Sequence, residues 1–324
     1  MEHKILRSVP LLVALALLTN CTPKPSETTW CSQPLRSQLN QYIEIPTRQP
    51  WFRVYEVGKG VYAIVEPYNF QEVISYLILG NERNILFDTG MGMGSIKDVV
   101  AELSTLPLTV INSHTHYDHI GGNHEFDNIL SVDTAYTRNN STKGWPHQSV
   151  RQEVRMDAFC QDKLPGLDTA VYAIKPYADR IKGFLQNGDT IQLGQRTIEV
   201  LRVPGHTPDC IALLDRANGY LWTGDMYYEA TIWLFFDGTD LDAYEKSIRK
   251  FEDLAPSLTA VFPAHNTPVA DPTHLHELVT AFRKIIRREV NPVAGAQSGH
   301  PDDSSALTFQ FEHFSFKIRS DAIH

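Results

Sequence analysis

One stretch constrains this chain more than any other: "LTVINSHTHYDHIGG", residues 108–122. A run rich in apolar and β-branched residues ends in four side chains of the metal-binding type, His114, His116, Asp118 and His119. In an extended segment alternate side chains share a face, so His114 and His116 point to the same place. Asp118 and His119 fall in the turn that follows and can swing toward a second one. Gly121 and Gly122 permit a tight turn and close backbone approach. Zinc accepts imidazole nitrogen and carboxylate oxygen at about 2.0–2.2 Å. The competing reading is a polar surface turn that happens to hold histidines. Crowding four such groups directly behind an apolar strand argues against it.

Three further candidates arrive in the same context. His206 follows "IEVLRV" in "PGHTPD", Asp225 follows "GYLW" in "TGD", and His265 follows "TAVF" in "PAH". Each lies where a strand runs into a loop, the place where α/β layers gather functional side chains. The seven groups are too many for one tetrahedral zinc and suit two ions sharing a bridging ligand.

The remaining pattern is that of a layered α/β protein. "WFRVYEV", "GVYAIVEP", "VISYLILG" and "RNILFDTG" read as successive strands, and residues 95–103 as a short helix. A small helix from about Asn123 and two short strands are expected next. Within residues 139–185, "NNSTKGWPHQS" reads as turns and "SVRQEVRMDAFCQDKL" as helix; the block is expected to leave the core and line a substrate cleft. Strands resume at "TIQL", "RTIEVLRVPG", "CIALLDR" and "GYLWTGD". "TDLDAYEKSIRKFEDL" has the apolar spacing of a helix, with Thr239 and Asp242 fitting a capping box. "DPTHLHELVTAFRKIIRREV" is a second helix, with Asp271 placed to cap it and Pro272 at its first position. In "ALTFQFEHFSFKI" the apolar parity slips once, which predicts a bulge or reversal in a terminal strand or hairpin.

The first residues, "MEHKILRSVPLLVALALLTNC", place Lys4 and Arg7 before an apolar run from Val9 to Leu18. That run is short for a membrane span and has the flanks of a secretory leader over residues 1–21. Its ending resembles a bacterial lipoprotein leader that would put a lipid on Cys21, although Asn20 departs from the small residue usual there. An uncleaved anchor, or an ordinary leader cut elsewhere, competes with that reading. The expected location is exported, periplasmic or anchored to a membrane as a lipoprotein. Residues 22–46 are rich in Ser, Thr, Pro and Gln and read as a linker ahead of a domain over 47–324. Cys31 and Cys160 can pair in an exported protein, a pairing that sequence does not fix, and Cys210 reads as buried. A net charge of −9 argues against nucleic acid as a partner and leaves a small-molecule substrate open.

"HTHYDH" resembles the HxHxDH signature of the metallo-β-lactamase-fold hydrolases, and the later His, Asp and His stand in that superfamily's order. The resemblance spans roughly residues 51–290 and implies an α/β fold of four layers, an αββα sandwich. It implies that His114, His116 and His206 hold one metal, that Asp118, His119 and His265 hold another, and that Asp225 bridges them. The ions would be divalent, with zinc expected and iron or manganese as alternatives. Asp88 in "FDTG" would orient a ligand rather than bind metal. Asp225 departs from the Cys or Ser usual in true β-lactam hydrolases and fits the glyoxalase II-like and acyl-homoserine lactonase-like branches. "PGHTPD" resembles their "PGHTPG", with Asp209 in place of the second Gly.

The activity implied is hydrolysis of an ester, lactone or thioester by metal-activated water, with Asp118 and Tyr228 as catalytic candidates. Tyr228 has the lactonase spacing from the bridging Asp; packing within "DMYYEATIWLFF" is the competing reading. Trp233, Phe235 and Phe236 offer an apolar wall for an acyl or aryl group. Alternatives are a phosphodiesterase, a β-lactamase-like activity, an iron-dependent redox enzyme and a non-catalytic metal-binding protein.

Overall fold

The structure is a computed structural model that describes residues 30–293 and 306–323. The leader and the lipidation site expected at Cys21 lie outside the described residues. Among those described, no helix is long and apolar enough to cross a membrane.

Two sheets stack face to face. The larger has eight strands in chain order: β1 (Ile43–Ile45), β2 (Arg53–Gly58), β3 (Val61–Val65), β4 (Ile74–Ile78), β5 (Asn84–Phe87), β6 (Leu108–Ile111), β7 (Ile129–Ser131) and β8 (Ile181–Phe184). The smaller contains β9 (Thr190–Gln192), β10 (Thr197–Arg202), β11 (Ile211–Asp215), β12 (Tyr220–Gly224) and β14 (Ala260–Pro263), in the order β14-β12-β11-β10-β9. Alternation assigns the faces. Ile74, Tyr76 and Ile78 of β4 meet Ile211 and Leu213 of β11, with Trp222 and Phe262, between the sheets. Leu77 turns the other way, toward Ile96, Val99 and Val100 of α1 (Ile96–Leu103). Ala212, Leu214, Leu221 and Val261 turn outward under α5 (Leu241–Leu254) and α6 (His274–Ile286). β4, β11 and β14 are buried along their whole length because both of their faces are covered. The result is the four-layer αββα sandwich.

A third, three-stranded sheet has the order β13-β16-β15, from β13 (Thr231–Leu234), β15 (Ala306–Gln310) and β16 (Ser315–Arg319). The parity slip in the tail is a reversal: β15 and β16 pair antiparallel, with Phe309 opposite Phe316. β13 has no clear alternation in sequence; it forms because β16 runs parallel beside it.

Several local expectations are corrected. The small helix expected from about Asn123 is a 3-10 turn, Asn123–Glu125, and one strand, β7, rather than two follows it before α3 (Ala135–Lys143), which absorbs the first part of the segment read as turns. Thr134 Oγ1 caps it by accepting from Thr137 N at 3.0 Å, and Gly144 ends it at a φ of 64°. Of the segment read as helix, 149–164, only the first two residues belong to a helix, the end of α4 (His147–Val150), and short 3-10 turns follow, because Val150, Val154 and Phe159 are drawn into the core one by one. Helix α5 is capped by Asp240, which accepts from Ala243 N at 2.9 Å, not by Thr239. The Thr239 hydroxyl instead donates to His206 O at 3.1 Å. Helix α6 starts at His274, while Asp271 closes a preceding turn by accepting from Thr273 N at 2.8 Å.

The lead-in expected to be a linker is fastened to the domain from Trp30 onward. Trp30 Nε1 donates to Pro67 O, Arg36 pairs with Glu72, and β1 pairs with β2. A disulfide joins Cys31 to Cys160 across 129 residues. Closing a loop of that length removes roughly 5 kcal/mol of unfolded-chain entropy in the simple chain treatment. The tie holds both the lead-in and the segment that walls the cavity described below. Cys210 is free and buried.

Candidate metal centre

The candidate ligands leave the ends of β6, β10, β12 and β14 at one rim of the two stacked sheets. His114 and His116 follow β6, and Asp118 and His119 sit on α2 (Tyr117–Ile120), a single turn that replaces the simple bend expected. Gly121 is required where α2 passes the loop after β5: a Cβ there would lie 2.2 Å from Met91 C. Gly224, at a φ of 53°, lets Asp225 pass Ser113, where a Cβ would meet the Ser113 Cβ at 2.5 Å.

All seven groups meet. His114 Nε2 and His206 Nε2 each lie 3.0 Å from His116 Nδ1. His119 Nε2 and His265 Nε2 lie 3.5 and 3.6 Å from Asp118 Oδ2. Asp225 stands between the two sets. Its Oδ2 is 3.6 Å from His206 Nε2 and 4.0 Å from His114 Nε2, while its Oδ1 is 3.3 Å from His119 Nε2 and 3.1 Å from His265 Nε2. Three groups therefore have the spacing of a metal site: His114 with His116 and His206, His114 with His119 and Asp225, and Asp118 with His119 and His265.

The opposite ring nitrogens are held from behind, which fixes which nitrogen faces inward. His119 Nδ1 meets Asp88 Oδ2 at 2.9 Å, His206 Nδ1 meets Trp233 O at 2.8 Å, and His265 Nδ1 meets Gln71 O at 2.7 Å. Ser113 Oγ donates to Asp88 Oδ2 and can accept from His114 Nδ1 at 3.0 Å. Asp88 sits at a φ of 66°, a costly backbone for a non-glycine residue, and its carboxylate also accepts from Ser113 N at 2.6 Å. Asp88 therefore touches His119 from behind and is in none of the groups that have the spacing of a metal site.

The residues suit metal ions. His119 Nε2 and Asp225 Oδ1 are buried with no hydrogen-bond partner, an expensive arrangement unless a cation satisfies them. Burial, followed by the neighbouring histidines His119 and His116, holds His114 well below the usual histidine range, so it stays neutral and able to coordinate. His116 is lowered by burial and then by His206. Burial also opposes charge on His119 and His265, but Asp225 and Asp118 outweigh it and raise both. Burial would raise Asp225, yet His265 and His119 hold it well below the carboxylate range. Asp225 and Asp118 thus concentrate negative charge beside His119 and His265, the place cations would take.

The cluster opens into a cavity of about 810 Å³. Residues 139–152, within the block expected to line a cleft, wall it together with Tyr136 of α3. Tyr228 also lines it, with its ring centre 5.0 Å from that of His265. Its hydroxyl, however, donates to Thr231 O at 2.6 Å, so the catalytic role expected for it meets a physical obstacle: the proton is already engaged. Tyr228→Phe is expected to lower kcat by less than about tenfold, the scale of one ordinary hydrogen bond. A loss of more than about a hundredfold at unchanged metal content would return the hydroxyl to the substrate.

Sequence reasoning missed Asp209, Gln71 and Trp233 as supports. Gln71 and Trp233 act through backbone carbonyls, which leave no trace in residue type. Asp209 had one: it stands where a glycine was expected. It is buried, and its carboxylate accepts from Thr115 Oγ1 at 2.6 Å, Thr207 Oγ1 at 2.6 Å and Thr137 Oγ1 at 3.1 Å.

Residues 70–288 match the sequence profile of the Metallo-beta-lactamase superfamily. The chain is 26% identical over 231 residues to the acyl-coenzyme A thioesterase MBLAC2 of Gallus gallus, covering 66% of this chain and 80% of that protein. It is also 26% identical over 186 residues to the hydroxyacylglutathione hydrolase of Gloeobacter violaceus, covering 56% and 59%. Among solved structures, an archaeal metallo-beta-lactamase superfamily protein from Sulfolobus tokodaii matches with a TM-score of 0.50 at 18% identity, over 75% of this chain and 92% of that one. A double mutant of the sec-alkyl sulfatase PisA1 matches with a TM-score of 0.57 at 15% identity, over 75% of this chain and 46% of that one. At these identities the structural likeness speaks for the fold alone.

Proposed function

Because the chain belongs to the metallo-beta-lactamase superfamily and is a metal-dependent hydrolase, we propose that its seven ligands hold two divalent ions and that it cleaves a thioester. The observation that carries the dinuclear reading is the position of Asp225, one oxygen toward His114 and His206 and the other toward His119 and His265. A single ion would leave half of that set buried and unpaired. Zinc suits the mixture of imidazole and carboxylate donors, with iron or manganese as alternatives.

Ions held there would supply hydroxide near neutral pH and polarise the carbonyl. The chain's own residues do the rest. His114, His116 and His206 fix one side of the reacting centre, and Asp118, His119 and His265 the other. Asp118 lines the cavity, where its carboxylate orients the attacking water and passes the released proton toward the leaving sulfur. The water oxygen bonds to the carbonyl carbon and the carbon–sulfur bond breaks, giving a carboxylate, a thiol and one proton.

The thioesterase relative supports the substrate class, and the hydroxyacylglutathione hydrolases support hydrolysis of an acyl compound. Lys143 is the single lysine or arginine among the described residues lining the cavity, which gives little purchase for a phosphodiester. The leader-like residues 1–21 and the Cys31–Cys160 disulfide support export, with Cys21 as a candidate lipid anchor.

Elemental analysis of the purified protein, with parallel turnover of a thioester, a lactone, a β-lactam and an aryl phosphodiester, tests this reading. Two ions per chain and the highest kcat/KM on the thioester are expected. Full activity with one ion, or preference for the phosphodiester, would overturn it.

A further inference from the structure

Beside the cavity lies one buried acid that takes no part in the chemistry above. Glu153 is 1% exposed. It belongs to a short 3-10 turn, Arg151–Val154, that follows α4, and its neighbours Arg151 and Arg155 face solvent. A carboxyl taken out of water is costly unless its oxygens are hydrogen-bonded. Both are. Tyr117 Oη donates to Glu153 Oε1 at 3.0 Å, and Gln71 Nε2 reaches Oε2 at 3.4 Å. Gln71 Nε2 also donates to Tyr117 Oη at 2.9 Å, which closes a triangle of three side chains. Tyr117 and Gln71 line the cavity, and Glu153 stands behind them.

The backbone of the same residue grips the loop between β3 and β4. Glu153 O accepts from Asn69 Nδ2 at 2.9 Å, and Asn69 Oδ1 accepts from Gln71 N at 2.9 Å. Phe70 N donates to Ala158 O at 2.9 Å and Cys160 N to Tyr68 O at 2.8 Å, and Cys160 is in turn tied to Cys31. What these contacts hold is the second half of the metal centre. Tyr117 opens α2, the single turn that carries Asp118 and His119. Gln71 O is the acceptor that sets the ring of His265, 2.7 Å from its Nδ1. The elements bearing or orienting this group therefore meet at Glu153. The group of His114, His116 and His206 has a separate anchor in Asp209, which accepts from Thr115 and Thr207. Tyr117 also adjoins His116, but the other neighbour of His116 is Thr115, which Asp209 holds.

We propose that Glu153 is a positioning residue for the ion held by Asp118, His119 and His265: it locks the side chains of Tyr117 and Gln71 together, so that α2 and the loop carrying the His265 acceptor keep one spacing. This rests on the two-ion reading above. Glu153 touches neither substrate nor metal and acts through Tyr117 and Gln71. Each half of the centre then has its own buried acid, Asp209 for one and Glu153 for the other, and loss of either acid loosens a different ion.

The test is a metal titration. The full chain, stripped of metal, is titrated with Zn2+ against a competing chromophoric chelator, which resolves the two binding steps. His265→Ala identifies the step that belongs to the second group. In Glu153→Ala that step should weaken about 10–100-fold, while the other moves by less than about threefold. Glu153→Gln keeps an oxygen for the Tyr117 hydroxyl and should recover part of the affinity. Glu153→Ala leaves a void that can disturb folding, so Tyr117→Phe serves as a second variant. It keeps the ring, removes only the hydroxyl shared with Glu153 and Gln71, and should weaken the same step about fivefold. Thermal unfolding of the metal-free variants separates packing from positioning. A merely structural Glu153 would lower the melting temperature and leave both binding steps unmoved. That result, or equal weakening of both steps, overturns the proposal while the two-ion reading stands. A parent protein that binds only one ion overturns both.

Discussion

Asp225→Ala is expected to abolish hydrolysis, with kcat/KM falling by about a thousandfold or more. The reason is geometric. Asp225 is the only one of the seven candidate ligands with an oxygen directed at each half of the cluster. Its removal leaves His119 and His265 facing Asp118 alone, and takes the shared ligand from His114 and His206. Metal content should fall below two ions per chain, most clearly after dialysis against a weak chelator. The backbone is not the ground for the effect, because Gly224 sets the turn and the Asp225 side chain caps no helix among the described residues; a circular dichroism spectrum matching the parent would show this. Asp225→Asn should lie between the two, since the amide keeps one oxygen donor. Retention of two tightly held ions together with near-normal turnover in Asp225→Ala would refute the bridging assignment.

The second large effect is expected far from any bond to metal. Asp209→Ala removes the acceptor shared by Thr115, Thr137 and Thr207. Thr115 lies between His114 and His116, Thr207 follows His206, and Thr137 belongs to α3, which carries the cavity wall at Tyr136. One buried carboxylate thus ties the backbone beside all three candidate ligands of the first group to the helix that carries the wall. Hydrogen bonds to a charged acceptor are worth about 1.5–3 kcal/mol each, so the variant should unfold several degrees lower. Its affinity for the ion at His114, His116 and His206 should drop about 10–100-fold, the range seen when groups behind metal ligands are lost. Asp209→Asn, which keeps one acceptor oxygen, should recover part of the affinity. A purely structural role would lower stability alike in both variants and leave metal affinity unmoved.

Much of this centre is legible in the sequence, because its signals are short and local. The alternation of His114 and His116, the pair Asp118 and His119 one turn later, and the strand ends before His206, Asp225 and His265 need no knowledge of distant contacts. The two long helices are equally plain, since their apolar spacing repeats over three to four turns. What escaped was short and weakly patterned. β13 exists through its pairing with β16, and the stretch 147–163 takes its shape from separate insertions of Val150, Val154 and Phe159 into the core. The cap of α5 moved by one residue because the Thr239 hydroxyl is drawn to His206 O, a competitor invisible along the chain.

The sequence by itself determined which side chains were available to bind metal and that a strand would present two of them together, because both follow from residue type and the two-residue period of an extended chain. Only the tertiary structure decided that one oxygen of Asp225 faces each half of the cluster, that backbone carbonyls of Gln71 and Trp233 fix the rings of His265 and His206, and that the Tyr228 proton is held by Thr231. These depend on angles between elements up to 194 residues apart, as for His265 and Gln71. Residue order states which groups exist, whereas the direction in which each lone pair points is settled by the packing of the two sheets.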